Sequence, residues 1–362
     1  MWFLGFMLLF VIGVVIFVNT APQFGQAPQG KDLERIKQSP NYKDSKFINK
    51  QLTQMGSFSQ MMKTMPDFLF GKNLSPKYTL PVKYQHSNEV EADSICYVTW
   101  YGHSAFLLEL EGKRILIDPM LSKSPTPMGF GSSRFFNKEA IPIDELSNID
   151  FLIISHDHYD HLDHQSILKL KDKVGHFFTA LGIGSHLKKW GIPEGKITEL
   201  DWWQRKEVDG LTFGACPARH FSGRGILDRD KTQWASWVIK SEFQNIYFSG
   251  DGGYGPHFKE IGEKYGPFDF AMLECGQYNE AWKDIHMMPE ESVQAGIDVK
   301  ANLIMPIHWG AFPLSVHTWK DPVERFTNKA AAENVNFITP YIGERFKLGV
   351  DLPKEQWWVG KN

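Results

Sequence analysis

Ser155-His156-Asp157-His158-Tyr159-Asp160-His161 follows directly on the apolar run Phe151-Leu152-Ile153-Ile154. Imidazole and carboxylate ligands suit zinc, at ~2.0–2.2 Å, and leave a position open for water. A strand that runs out into a loop turns alternate side chains towards one point. On that reading His156 and His158 chelate one ion, while Asp160 and His161 face a second. Further ligands must come from elsewhere, and each candidate lies just past another apolar run. His220 follows LTFGA, Asp251 follows NIYFS and His308 follows NLIMP. Any one of them alone reads equally well as a surface or capping residue, but loops at strand ends can converge on one rim. Together with the first cluster they complete two sites. His86, His164, His176, His186, His257 and His317 have no such placement and read as solvated or structural.

These residues need a rigid frame. Short runs rich in β-branched and aromatic residues predict strands at Ile95–Trp100, Ala105–Leu110, Arg114–Asp118, Phe151–Ser155, Leu211–Ala215, Ala235–Lys240, Asn245–Ser249, Asp269–Glu274 and Leu303–Pro306. Glu111-Gly112-Lys113 joins two of them as a hairpin. Helices are expected near His164–Lys171, Gly184–Trp190, His257–Tyr265, Pro289–Val299 and Pro322–Glu333, with Pro289 and Pro322 suited to a first turn. Strands in a meander, then strands alternating with helices, predict an α/β architecture of two facing mixed sheets with helices outside.

Composition narrows the function classes. The 362 residues hold 39 Lys and Arg against 42 Asp and Glu, a net charge of -3, so there is no basic field for a nucleic-acid partner. With 42% hydrophobic and 22% charged residues the chain can bury a core. Its 3 cysteines, Cys96, Cys216 and Cys275, lie in apolar runs and read as buried thiols, too few for a disulfide framework. Residues 2–18, WFLGFMLLFVIGVVIFV, carry no charge. As a helix they span ~26 Å, just short of a ~30 Å hydrocarbon core. A cleaved signal peptide is disfavoured because no Lys or Arg precedes the run and Val18–Ala21 is a poor cleavage site. The expectation is a single-pass membrane anchor over residues 1–20, with the side of the membrane open. Residues 21–92 read as a proline-punctuated stalk and strap, 93–350 as the body and 351–362 as a tail. Within the stalk, Met55–Phe70 (MGSFSQMMKTMPDFLF) is the helical candidate, either a strap on the body or a lipid-facing lip.

The HxHxDH run, followed by single His, Asp and His, resembles the metallo-β-lactamase superfamily. More of the chain is similar to one branch, the N-acylphosphatidylethanolamine-hydrolysing phospholipase D family and its bacterial homologues. The stretches that carry the likeness are TWYGHSAFLLELEGKRILIDPML, IDFLIISHDHYDHLD, PARHFSGRG, YFSGDGGYGPHFKEIGEKYGPFDFAML, IHMMPEES and MPIHWGAF, over roughly residues 95–348. The resemblance implies a four-layer αβ/βα sandwich with two zinc ions at one edge. His156, His158 and His220 would hold one zinc, Asp160, His161 and His308 the other, and Asp251 would bridge them. His286 would contact the scissile phosphate or the leaving group. Asp118, ending a strand as LIDP, would orient a ligand histidine, and His103 would stabilise a strand turn. A homodimer is implied by likeness alone. The chain departs from the family at Gly252, where better-known members carry a hydroxyl residue. It also departs in the loosely matching segment Glu274–Ile285 and in its apolar N-terminus.

What the resemblance implies is a phosphodiesterase of phospholipase D type, in which zinc acidifies a water that attacks phosphorus. Asp160, Asp251 and His286 would serve the chemistry, a phospholipid would be the substrate, and the products would be phosphatidic acid and an N-acylethanolamine. A zinc-dependent lactonase or carboxyl-ester hydrolase of the same fold is the alternative. His158 favours zinc over a two-iron site, whose relatives usually carry a carboxylate there. A non-catalytic scaffold is disfavoured by the complete ligand set.

Overall fold

A computed structural model describes residues 2–56, 58–84, 94–135, 141 and 143–359. His86 lies outside the described residues. A short hairpin pairs β1 (Tyr42–Lys43) with β2 (Lys46–Phe47). The first large sheet contains β3 (Tyr97–Trp100), β4 (Phe106–Leu110), β5 (Lys113–Ile117), β6 (Ile149–Ile154), β7 (Val174–Ala180), β8 (Ile197–Leu200) and β15 (Arg345–Lys347). The second contains β9 (Arg205–Val208), β10 (Leu211–Cys216), β11 (Ser236–Lys240), β12 (Asn245–Phe248), β13 (Phe270–Glu274) and β14 (Ile304–Ile307). Their orders are β15-β3-β4-β5-β6-β7-β8 and β14-β13-β12-β11-β10-β9. Both are mixed: β5 to β8 run parallel to one another, as do β12 to β14, and the remaining pairs are antiparallel.

The parallel strands are covered on both faces, so β6, β13 and β14 read as near-continuous apolar runs. Pro306 is tolerated in β14 because that strand forms the sheet edge. At the opposite edge β9 is RKEV, a charged, mostly exposed strand that discourages further pairing. The two sheets meet through aromatic side chains: Phe213 of β10 lies 5.0 Å from Phe151 of β6 and 4.3 Å from Phe178 of β7, ring centre to ring centre. The helices are α1 (Trp2–Thr20), α2 (Gly30–Ile36), α3 (Phe58–Phe70), α4 (His164–Leu170), α5 (Gly184–Lys189), α6 (His257–Lys264), α7 (Pro289–Asp298) and α8 (Asp321–Ala332). Among them α5 lies against β8, and α7 against β13 and β14 with α6 and α8 beside it. Asp163 caps α4, accepting from the amides of Gln165 and Ser166. These are the two mixed sheets expected of the α/β architecture.

The N-terminus requires a correction. A helix does form over Trp2–Thr20 with many exposed apolar side chains, Phe6 and Leu9 among them. Among the described residues, however, no helix is long and apolar enough to cross a membrane. The single-pass anchor and the membrane localisation read from it are therefore withdrawn. The physical reason is length, since the uncharged stretch gives only ~26 Å of helix before the polar Asn19 and Thr20. The chain after α1 lies against the body. Pro22 accepts from the Trp190 indole, and Phe24 packs edge-on against Tyr159.

Candidate metal centre

Every candidate ligand follows the carboxyl end of a strand, and those strands run in the same sense within each sheet. Asp118 follows β5, His156 to His161 follow β6, His220 follows β10, Asp251 follows β12 and His308 follows β14. Open sheets gather functional loops at this edge. His103, Asp118 and His308 have positive φ, at 56°, 40° and 66°, backbone strain of order 1–3 kcal/mol that clusters at functional sites. Gly253 permits a close approach, because a Cβ there would stand 2.1 Å from the Asp284 carbonyl oxygen. That contact brings the segment carrying His286 against the loop carrying Asp251.

The structure brings the sequence-predicted residues together. Nδ1 of His158 is 2.9 Å from Nε2 of His156 and 3.2 Å from Nε2 of His220. Oδ2 of Asp160 is 3.6 Å from Nε2 of His161 and 3.9 Å from Nε2 of His308. Asp251 lies between the trios. Its Oδ2 is 3.1 Å from His161, 3.8 Å from His156 and 4.0 Å from His220, and its Oδ1 is 3.1 Å from Nδ1 of His308. His286 joins His220 and Asp251 in a further group of ligand atoms within 4.8 Å of one another.

Groups behind the ligands decide which ring nitrogen points inward. Ser155 Oγ is 2.9 Å from Nδ1 of His156, and Nδ1 of His220 donates to the Ile285 carbonyl at 2.8 Å. Asp118 accepts from the Ser155 amide at 2.8 Å and from Nδ1 of His161 at 2.7 Å, the orienting role expected of it. His103 does hold its turn, since its amide bonds the Trp309 carbonyl. Its Nε2 also lies 2.8 Å from Asp160, so it orients a ligand carboxylate as well.

These residues fit metal ions. Three imidazole nitrogens converge where at most a few protons could separate their lone pairs. Burial lowers His156, His220 and His308 well below the usual imidazole value and His158 to about 4, which keeps them as neutral donors. His161 goes the other way. Burial works against its charge, but the carboxylates of Asp251, Asp160 and Asp118 raise it well above the usual value. That concentration of negative charge calls for a cation. Burial pushes Asp251 up to about 7 against the pull of His161, and its Oδ1 makes no hydrogen bond of good geometry. Asp160 stays ionised because His161 and His103 outweigh its burial.

Several residues escaped sequence reading. Asn49 exchanges hydrogen bonds with the His220 backbone, at 2.8 and 3.1 Å. Asp157, between two ligands, accepts from Gly223 N at 2.8 Å, Thr232 Oγ1 at 2.7 Å and His186 Nε2 at 3.3 Å. His186 in turn accepts from the Gln26 amide at 3.0 Å, and Arg224 ties the carbonyls of Asp157 and Gln23 together. The chain after α1 is thus bonded to the metal loop through two side chains. Glu274, the last residue of β13, is wholly buried with Oε1 2.5 Å from Nδ1 of His286. A carboxylate closing an otherwise apolar strand was its one signal.

A cavity of about 360 Å³ opens above the centre. His158, Asp160, Asp251, His286 and His308 line it together with the apolar Met65, Phe68, Phe221, Trp282, Ile285 and Leu314. Met65 and Phe68 come from α3, whose Phe68 stacks on Trp282 at 6.2 Å.

Residues 113–309 match a family described as the Beta-lactamase superfamily domain, and the chain belongs to the metallo-β-lactamase superfamily. It is 38% identical to an uncharacterised protein of Mycobacterium tuberculosis over 92% of both chains. It is 30% identical to an N-acyl-phosphatidylethanolamine-hydrolyzing phospholipase D of Caenorhabditis elegans, over 74% of this chain and 80% of that one. The fold also matches a metallo hydrolase from Ignicoccus hospitalis with a TM-score of 0.53 and 23% identity, over 71% of this chain and 100% of that one. The protein is a metal-dependent hydrolase of this superfamily, with likeness to the phospholipase D branch.

Proposed function

We propose that the protein is a dinuclear zinc phosphodiesterase that cleaves a glycerophospholipid in the manner of the N-acylphosphatidylethanolamine phospholipases D. The products would be phosphatidic acid and an N-acylethanolamine. The observation that carries this reading is the cavity, whose lining combines the candidate ligands with the apolar side chains Met65, Phe68, Trp282 and Leu314. A substrate with a phosphodiester at one end and acyl chains at the other is the complement of such a wall. The names of the Caenorhabditis elegans and Saccharomyces cerevisiae relatives support the same chemistry.

His156, His158 and His220 would hold one ion, Asp160, His161 and His308 the other, with Asp251 between them. When bound, the metals supply Lewis acidity towards phosphoryl oxygens and a water acidic enough to attack near neutral pH. The chain's own residues do the rest. Asp118, Ser155 and His103 hold the ligands in register, and the apolar wall seats the acyl chains and excludes water. Asp160 and Asp251 would orient the attack, and His286, on the cavity side, would pass a proton to the departing oxygen.

Mass spectrometry of products tests the reading, after zinc-loaded full-length protein is incubated with a mixed phospholipid extract. Phosphatidic acid should appear with a matching N-acylethanolamine, disappear on chelation and return with zinc. Intact lipids alongside opened lactones or esters would refute it.

A further inference from the structure

Glu274 occupies a place where an apolar side chain would pack. It ends the strand Phe270–Glu274, every residue of which is buried, and its own exposure is 0%. A buried carboxyl is costly unless hydrogen-bonded, and this one is held on three sides. Oε2 accepts from the Gly252 amide at 3.0 Å and from the Met287 amide at 3.4 Å, while Oε1 lies 2.5 Å from Nδ1 of His286. The two backbone donors belong to the residues immediately after Asp251 and His286. The carboxyl group therefore sits at the junction of the loop between the two trios and the segment facing the cavity. On the far side, the Glu291 carboxylate caps the next helix by accepting from the Met288 amide at 3.0 Å, which fixes the chain just past His286. With Nδ1 committed to Glu274, Nε2 is the nitrogen left for the cavity that His286 lines.

We propose that Glu274 and His286 form a dyad that delivers the leaving-group proton. His286 is the catalytic residue, and Glu274 is the positioning residue that sets its tautomer and direction. The inference rests on the hydrolytic reading above. The balance is simple. In the protonated pair one proton lies in the Nδ1–Oε1 hydrogen bond and a second on Nε2. As water adds to phosphorus and the P–O bond breaks, the electron pair leaves with the departing oxygen, which takes the Nε2 proton and departs as the alcohol. The other proton stays between Nδ1 and the carboxylate, so no imidazolate forms. The proton released when the next water becomes nucleophilic restores the pair. Without Glu274 the ring would lose both its orientation and the partner for its second nitrogen, as the aspartate–histidine pair of serine proteases illustrates.

The test uses full-length zinc-loaded protein and a series of ethyl aryl phosphodiesters whose phenols range from acidic to weakly acidic. Glu274→Gln keeps the shape of the side chain and removes its charge. It should lower kcat by about 10²-fold on the poorest leaving group and by less than about 10-fold on 4-nitrophenolate, with KM unchanged, because only a poor leaving group needs the proton. His286→Ala should show the same leaving-group dependence, and the double variant should lose no more than His286→Ala alone. Metal content of Glu274→Gln should equal that of wild type. Equal losses across the series, additive losses in the double variant, or loss of metal would each overturn the dyad. A wild-type protein that cleaves none of these diesters would refute the phosphodiesterase reading instead. The same variants on alkyl and aryl carboxylic esters would then decide the dyad, since an alkoxide leaving from carbon needs the same proton.

Discussion

Asp118 touches no expected substrate, yet three donors converge on it: the Ser155 amide, the Ser155 hydroxyl and Nδ1 of His161. It therefore ties the ends of β5 and β6 together and turns His161 inward. Asp118→Asn should lower metal affinity or activity about 10- to 100-fold while the fold persists, the usual effect of losing such an orienting carboxylate. Metal content after dialysis checks this, and wild-type retention would contradict it. At this scale the candidate ligands that the fold brings together were legible because each pairs a metal-binding residue type with a strand end, a signal visible within ten residues. Glu274, Asn49 and Asp157 were not. Their partners lie 12, 171 and 29 or more positions away, and only the folded chain brings them near.

At the scale of elements, the segment between α1 and α2 is the least expected part of the molecule. Read as a stalk, it is instead bonded to the body by Gln23, Gln26 and Phe24. Gly25 makes this contact possible: its φ is +70°, and a Cβ would stand 2.1 Å from Nδ1 of His186, the ring that donates to Asp157. Gly25→Ala should destabilise the protein by about 1–3 kcal/mol through that overlap and weaken metal retention with it. A denaturant midpoint and a metal assay read both. No change in either would show that the segment is not coupled to the metal loop. The nine strands expected from sequence all form, because each is a compact run of β-branched or aromatic residues. Four strands of the large sheets were missed for separate reasons. VGHFFTA is interrupted by Gly175 and His176, β8 is half-exposed, RKEV has no apolar run, and RFK is three residues long and pairs with β3 across the whole body.

At the scale of the whole molecule, two mixed sheets present their strand ends at one edge, and a helix from the N-terminal region roofs the cavity there. The layers were legible from the order of strands and helices. The N-terminal anchor was read from an uncharged run already just short of the hydrocarbon core, and among the described residues no helix is long and apolar enough to cross a membrane. What the sandwich does is decided by which atom water attacks. Hydrolysis of an N-acylphosphatidylethanolamine in ¹⁸O-labelled water by the zinc-loaded protein answers that directly. The account predicts one labelled oxygen in the phosphate of phosphatidic acid and none in the N-acylethanolamine. Label in a released fatty acid, with the phosphodiester intact, would mean attack at a carboxyl carbon and would contradict it.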